Sequence, residues 1–178
     1  MPNIHPCPVP VDAFLDKYTR GGAYADCYVA EIARAISLTE YIETFYTGSL
    51  FKVERRLLAW FASRPSTDAE AKALAAGNAD TFAAWRVEQR SGDQLLLCDF
   101  IGRTRSWLMV APITGEGKGT RLYFGSAVVP VSSKASGRAE LGIAFKALLG
   151  FHKLYSRALL SAAHSRLAKS GRAVPGAI

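Results

Sequence analysis

The sequence predicts an α+β domain, in which an antiparallel curved sheet of five to seven strands grips one long C-terminal helix and two or three short helices follow the first strand. Three observations predict it. The stretch Glu140 to Leu167, ELGIAFKALLGFHKLYSRALLSAAHSRL, carries apolar residues at helical spacing. From Thr81 to Val131 the apolar period drops to two, and turn residues at Ser91-Gly92-Asp93, Gly102-Arg103-Thr104 and Gly115 to Gly119 divide the segment. Between these and an isolated strand pattern at Tyr24 to Ile32 lie two helix-start signals, Ser37 and Ser66-Thr67-Asp68.

Taken in order, residues 1–22 hold prolines at positions 2, 6, 8 and 10 and end in Gly21-Gly22, which predicts an extended lead-in with at most a helical turn at Val11 to Tyr18. A single domain is expected over residues 23–170, followed by a flexible tail, 171–178. YADCYVAEI at Tyr24 to Ile32 alternates as a first strand. Ser37 with Glu40 three residues on forms a capping-box pattern, so a helix is expected through Thr44 or Tyr46. A second helix is expected over Leu50 to Ala62, and a third over DAEAKALAAG, closed by Gly77. The meander then reads as strands Phe82 to Arg90, Gln94 to Phe100, Arg105 to Ile113 and Thr120 to Val131. On the last helix Lys146, Lys153, Arg157 and His164 fall within about 20° of one line, while Leu141, Ala144, Leu148, Phe151, Tyr155, Ala158, Leu159 and Ala162 gather opposite.

Composition narrows the function class. The formal charge of +7, from 22 basic and 15 acidic residues, is dispersed with no basic run, so a solvated surface is favoured and no nucleic-acid partner is expected. No run of 18 apolar residues and no charged-then-apolar leader occurs, which argues against stable membrane insertion and secretion and for the cytoplasm. Cys7, Cys27 and Cys98 are odd in number and lack CxxC spacing, so neither a disulfide framework nor a metal site is expected. Cys27 and Cys98 read as small buried hydrophobes. His5 and Cys7 stand two apart without further ligands nearby. No cofactor is expected.

Candidate chemistry is sparse. Asp99 interrupts an apolar strand with Arg103 and Arg105 close behind, which fits a salt bridge at the sheet rim or a pocket acid. His152, at the edge of the apolar stripe, is a rim residue or an acid–base candidate. Ser106 and Ser126 lie in no GxSxG elbow, and GEGKG in the loop before Thr120 lacks the GxxxxGK[ST] spacing. The stronger signal is aromatic and apolar. Trp85, Trp107, Met109 and Tyr123 on strands, with Phe151 and Tyr155 on the helix, either fill the core or line a ligand cavity.

The order of these elements, together with YADCYVAEI, SRPSTDAEAKALAAG, FAAWRVEQR, LLLCDFIGRTRSWLMVAP, RLYFGSAVVPV and LLGFHKLYSRALLSAA, resembles the helix-grip fold of the START-like superfamily, which includes polyketide cyclases and the major birch-pollen allergen. The local stretches look like an uncharacterised bacterial group within or near it. The resemblance implies a cavity between sheet and terminal helix, and it brings no catalytic residues, because that superfamily is defined by shape. It points to binding of a small hydrophobic molecule, a lipid or aromatic metabolite, by Trp85, Trp107, Met109, Tyr123, Phe151 and Tyr155, with Asp99, Arg105 and His152 as polar pocket candidates. Two alternatives stay open: a cyclase- or hydrolase-like enzyme acting on a carbonyl compound in the same cavity, and a peripheral protein- or membrane-interaction module using the basic helix face. A homodimer is compatible with any of the three.

Overall fold

Alternation along the strands sorts their side chains onto two faces, and each face finds its own cover. The computed structural model describes residues 3–52, 66–114, 119–129 and 143–170, with the side chains of the terminal helix described from Lys153 onward. The fold is α+β. Seven strands among these residues form one antiparallel sheet: β1 (His5–Pro6), β2 (Tyr24–Ile32), β3 (Thr81–Phe82), β4 (Trp85–Arg90), β5 (Gln94–Asp99), β6 (Thr104–Pro112) and β7 (Thr120–Val128). Their order is β1-β2-β7-β6-β5-β4-β3. The meander from β3 to β7 is therefore sequential, and β2 returns to pair with β7 from Tyr24 opposite Val128 to Ile32 opposite Thr120.

The helices begin where side chains satisfy their free N–H groups. In α2 (Leu38–Tyr46) the Ser37 hydroxyl accepts from the Glu40 N–H. In α3 (Asp68–Ala76) Thr67 and Glu70 form a complete capping box, and Gly77 ends the helix at φ +79°. Helical backbone resumes at 49–52, and the rest of the helix expected over Leu50 to Ala62 lies outside the described residues. So do residues 115–118 of the loop after β6, the segment leading into the last helix, and the tail 171–178. The last helix, α4, is Ile143–Ser170.

On the inner face, Tyr28, Ala30, Leu95, Leu97, Leu108, Leu122 and Phe124 meet Tyr41, Ile42, Phe45 and Tyr46 of α2, Leu74 of α3, and Leu159, Leu160, Ala163 and Leu167 of α4. Rings dominate this layer, with Phe45 within 4.9 Å of Phe124 and Tyr46 within 4.8 Å of Phe51, centroid to centroid.

Three sequence expectations change. The lead-in is part of the domain: β1 pairs with β2, α1 (Asp16–Arg20) follows, and Ala13 and Leu15 pack with Cys27, Leu96, Trp107, Met109 and Ala127 on the outer face. Proline spacing argued only against regular structure and was silent on Leu15, which is fully buried. The strand expected from Phe82 is interrupted, because Ala83 adopts φ +52° and splits β3 from β4. The terminal helix is rolled by about 100°, one residue, from its expected orientation. Ser156, Leu159, Leu160, Ala163 and Leu167 are its buried line, whereas Ala158 and Leu154 are exposed. Leucines at 154, 160 and 167 fall outside the expected stripe, so apolar residues surround too much of the helix for periodicity to set its roll. Lys153 and Arg157 face solvent as expected, while His164 is partly buried with its Nε2 2.9 Å from the Glu31 carbonyl.

Candidate functional site

A row of small polar side chains crosses the inner face where the flanking rows carry rings. Asp26 of β2, Ser126 of β7 and Ser106 of β6 are directly opposite one another across the ladders. Strand alternation aims all three at α4. The small volume of Ser106 and Ser126 leaves the layer between sheet and helix incompletely filled, and the result is a cavity of ≈ 210 Å³, whereas Asp26 lies in the wall of a separate groove. Aromatic and aliphatic walls come from Phe45, Phe51, Trp85, Phe124, Tyr155 and Leu159, and polar points from Ser106, Ser126 and Ser156.

Most of the polar row is occupied internally. The Ser126 hydroxyl donates to Asp26 Oδ1 at 2.5 Å, and the Tyr46 and Ser106 hydroxyls are 3.4 Å apart. Two wall atoms differ. Trp85 Nε1 and Ser156 Oγ are buried and have no hydrogen-bond partner among the described residues. Leaving such donors unpaired costs about 1–3 kcal/mol each, so both are poised to meet a polar group placed in the cavity.

The expected ligand-binding set does not converge. Trp85 and Tyr155 line the cavity. Trp107, Met109 and Tyr123 lie on the outer face with the lead-in, because on β6 and β7 they alternate with the inward Leu108, Leu122 and Phe124. The side chains of Phe151 and His152 lie outside the described residues. Ser106, Ser126 and Ser156, weighed in the sequence only as nucleophiles or not at all, are cavity residues instead. The one signal for Ser156 is a serine placed among leucines at helical spacing.

Of the polar candidates Arg105 is among the residues lining the cavity, but its guanidinium is engaged elsewhere, and so is the Asp99 carboxylate. Asp99 accepts from the Arg103 N–H at 2.7 Å and from the Thr104 hydroxyl at 2.9 Å, so it organises the β5–β6 turn and its carboxylate bonds neither guanidinium. The Arg105 guanidinium turns to the outer face, where Nε donates to Glu88 Oε2 at 2.6 Å and to the Tyr18 hydroxyl at 2.7 Å. Tyr18 in turn donates to Glu88, and Lys17 lies 2.6 Å from the same carboxylate. The cluster fastens α1 to the sheet. Burial alone would raise the Glu88 pKa, but hydrogen bonds from Lys17 and Tyr18 and the charge of Arg105 outweigh it, so Glu88 titrates below its ordinary 4.5. A carboxyl depressed in the folded state contributes stability above its unfolded pKa and loses it as pH falls through the folded one. Glu88→Gln should therefore cost about 1–3 kcal/mol at neutral pH and flatten the loss of stability as pH falls below the ordinary 4.5. Urea midpoints across that range check it, and a variant with the parent's acid slope would contradict it.

Among the described residues, no group of three or more His, Cys, Asp or Glu side chains is placed to hold a metal ion, and no helix is long and apolar enough to cross a membrane. Comparison with known proteins brings no match to this chain from family models, curated proteins or solved structures.

Proposed function

We propose that this protein binds a compact aromatic molecule carrying a hydrogen-bond acceptor, in the cavity between its sheet and α4, in the manner of a helix-grip, START-like binding protein. The observation that carries the proposal is the pairing of an apolar cavity with two donors in its wall, Trp85 Nε1 and Ser156 Oγ, that have no partner among the described residues. A pairing of this kind is what small-molecule sites use: apolar walls supply affinity and a few polar atoms set orientation. Size restricts the ligand further. A dry cavity of about 150 Å³ accommodates benzene and drug-sized ligands need about 300 Å³ or more, so ≈ 210 Å³ suits one substituted ring better than an extended acyl chain. The return of β2 to β7 and the terminal helix lying across the sheet support the helix-grip reading.

Binding of acetophenone, ethylbenzene and palmitate, followed by thermal shift and calorimetry, tests this. Acetophenone should raise Tm with its concentration, because a ligand that binds only the folded state stabilises it by mass action. Ethylbenzene has a similar shape without the oxygen and should bind about tenfold more weakly. Palmitate should not compete. Ser156→Leu should stay folded, fill the space and abolish the acetophenone shift. Equal affinity for the two rings, or an undiminished shift in the variant, would overturn the proposal.

A further inference from the structure

Cys7 and Cys27 are 20 residues apart in sequence and face each other across the β1–β2 ladder. The register that sets His5 opposite Val29 and Pro6 opposite Tyr28 carries on to this pair, and the Cys7 N–H donates to the Cys27 carbonyl at 3.0 Å. Hydrogen-bonded opposite residues have Cα atoms about 5.5 Å apart, within the span of a disulfide. The two Sγ atoms are 3.3 Å apart, and both thiols are free.

The pair also has an entrance. Cys7 and Cys27 pack together on the outer face of the sheet, away from α4 and the aromatic cavity. Cys7 is half-buried, whereas Cys27 is buried. We propose that Cys7 and Cys27 form a thiol–disulfide exchange site whose substrate is a low-molecular-weight disulfide that reaches the half-buried Cys7 on the outer face.

Cys7 acts first. Its hydrogen bond with Cys27 lowers its pKa by more than burial raises it, while Cys27, beside that same sulfur and buried, is held protonated. The Cys7 thiolate attacks one sulfur of the substrate disulfide, the S–S bond breaks, and one half leaves as a thiolate that takes up a proton. The mixed disulfide on Cys7 removes the hydrogen bond and the charge that, together with burial, held Cys27 protonated. Cys27 then releases its proton to water, attacks the Cys7 sulfur and expels the second half as a thiol. The protein dithiol is oxidised by two electrons, and one disulfide is reduced to two thiols. The new bond ties β1 to β2 and fixes the segment that covers the outer face.

Oxidised glutathione is the probe, with intact mass, alkylation and non-reducing peptide mapping as readouts on the folded full chain. The wild type should lose two hydrogens, yield a Cys7–Cys27 cross-linked peptide, leave Cys98 reduced, and rise in Tm on the order of 5–10 °C. Cys27→Ser should halt at a stable glutathione adduct on Cys7, and Cys7→Ser should not react. If Cys27→Ser does not fold, the wild-type cross-link decides alone. A folded wild type that keeps both thiols in excess oxidised glutathione, or that stops at an adduct with Cys27 free, overturns the proposal.

Discussion

Trp107→Ala is expected to lower the unfolding free energy by about 3–5 kcal/mol, which is a large share of the 5–15 kcal/mol that holds a typical domain folded. Trp107 is fully buried, and its indole N–H donates to Gln94 Oε1 at 2.9 Å. That same oxygen accepts the Phe14 N–H at 2.9 Å, and Gln94 Nε2 donates to the Asp12 carbonyl at 3.1 Å. One glutamine thus joins the ring to the lead-in backbone. The ring is packed so closely that a Cβ added at Gly125 would come within 3.0 Å of its Cε3 and 2.8 Å of Leu15 Cδ2. Removing the indole leaves a void and takes one of the two hydrogen bonds from Gln94 Oε1, and the two costs add. Urea denaturation measures the loss, and limited proteolysis should show residues before Tyr24 cut faster in the variant. A loss below about 1 kcal/mol would mean that the outer face is wet and the lead-in detached.

Leu160→Asp should be harsher still and leave little folded protein. Leu160 is fully buried in the cluster formed by α2, α4 and the inner sheet face, and a lone carboxylate there would have to lose its hydration or its charge. The control is Ala158→Asp, two residues away on the exposed side of the same helix, which should change stability by no more than about 0.5 kcal/mol. Circular dichroism melts of the pair report the roll of α4 directly. Comparable damage from both substitutions would place Ala158 inside and contradict the observed orientation.

The strands and caps were legible because their signals are local. Thr67 with Glu70, Gly77 after a run of alanines, and the turn residues between β4 and β5 each specify backbone geometry within a few positions. Which face of the sheet a residue joins is equally local in parity but not in meaning. Trp85 and Trp107 are both strand tryptophans, yet alternation places them on opposite faces, and nothing near either one says that the lead-in covers the second face. Assigning both to a single pocket assumed a sheet with one buried side. The cavity was hidden for a related reason: its polar floor is the cross-strand alignment of Ser106 and Ser126, two residues from two strands whose register the sequence does not print. The opposition of Cys7 and Cys27 depends on register in the same way.

A crystal structure of the protein with acetophenone tests the central claim most directly. The account predicts the ring between Trp85, Phe45 and Leu159, with its oxygen within hydrogen-bonding distance of Trp85 Nε1 or Ser156 Oγ. A cavity closed by protein side chains, with acetophenone absent or found only on the surface, would contradict it.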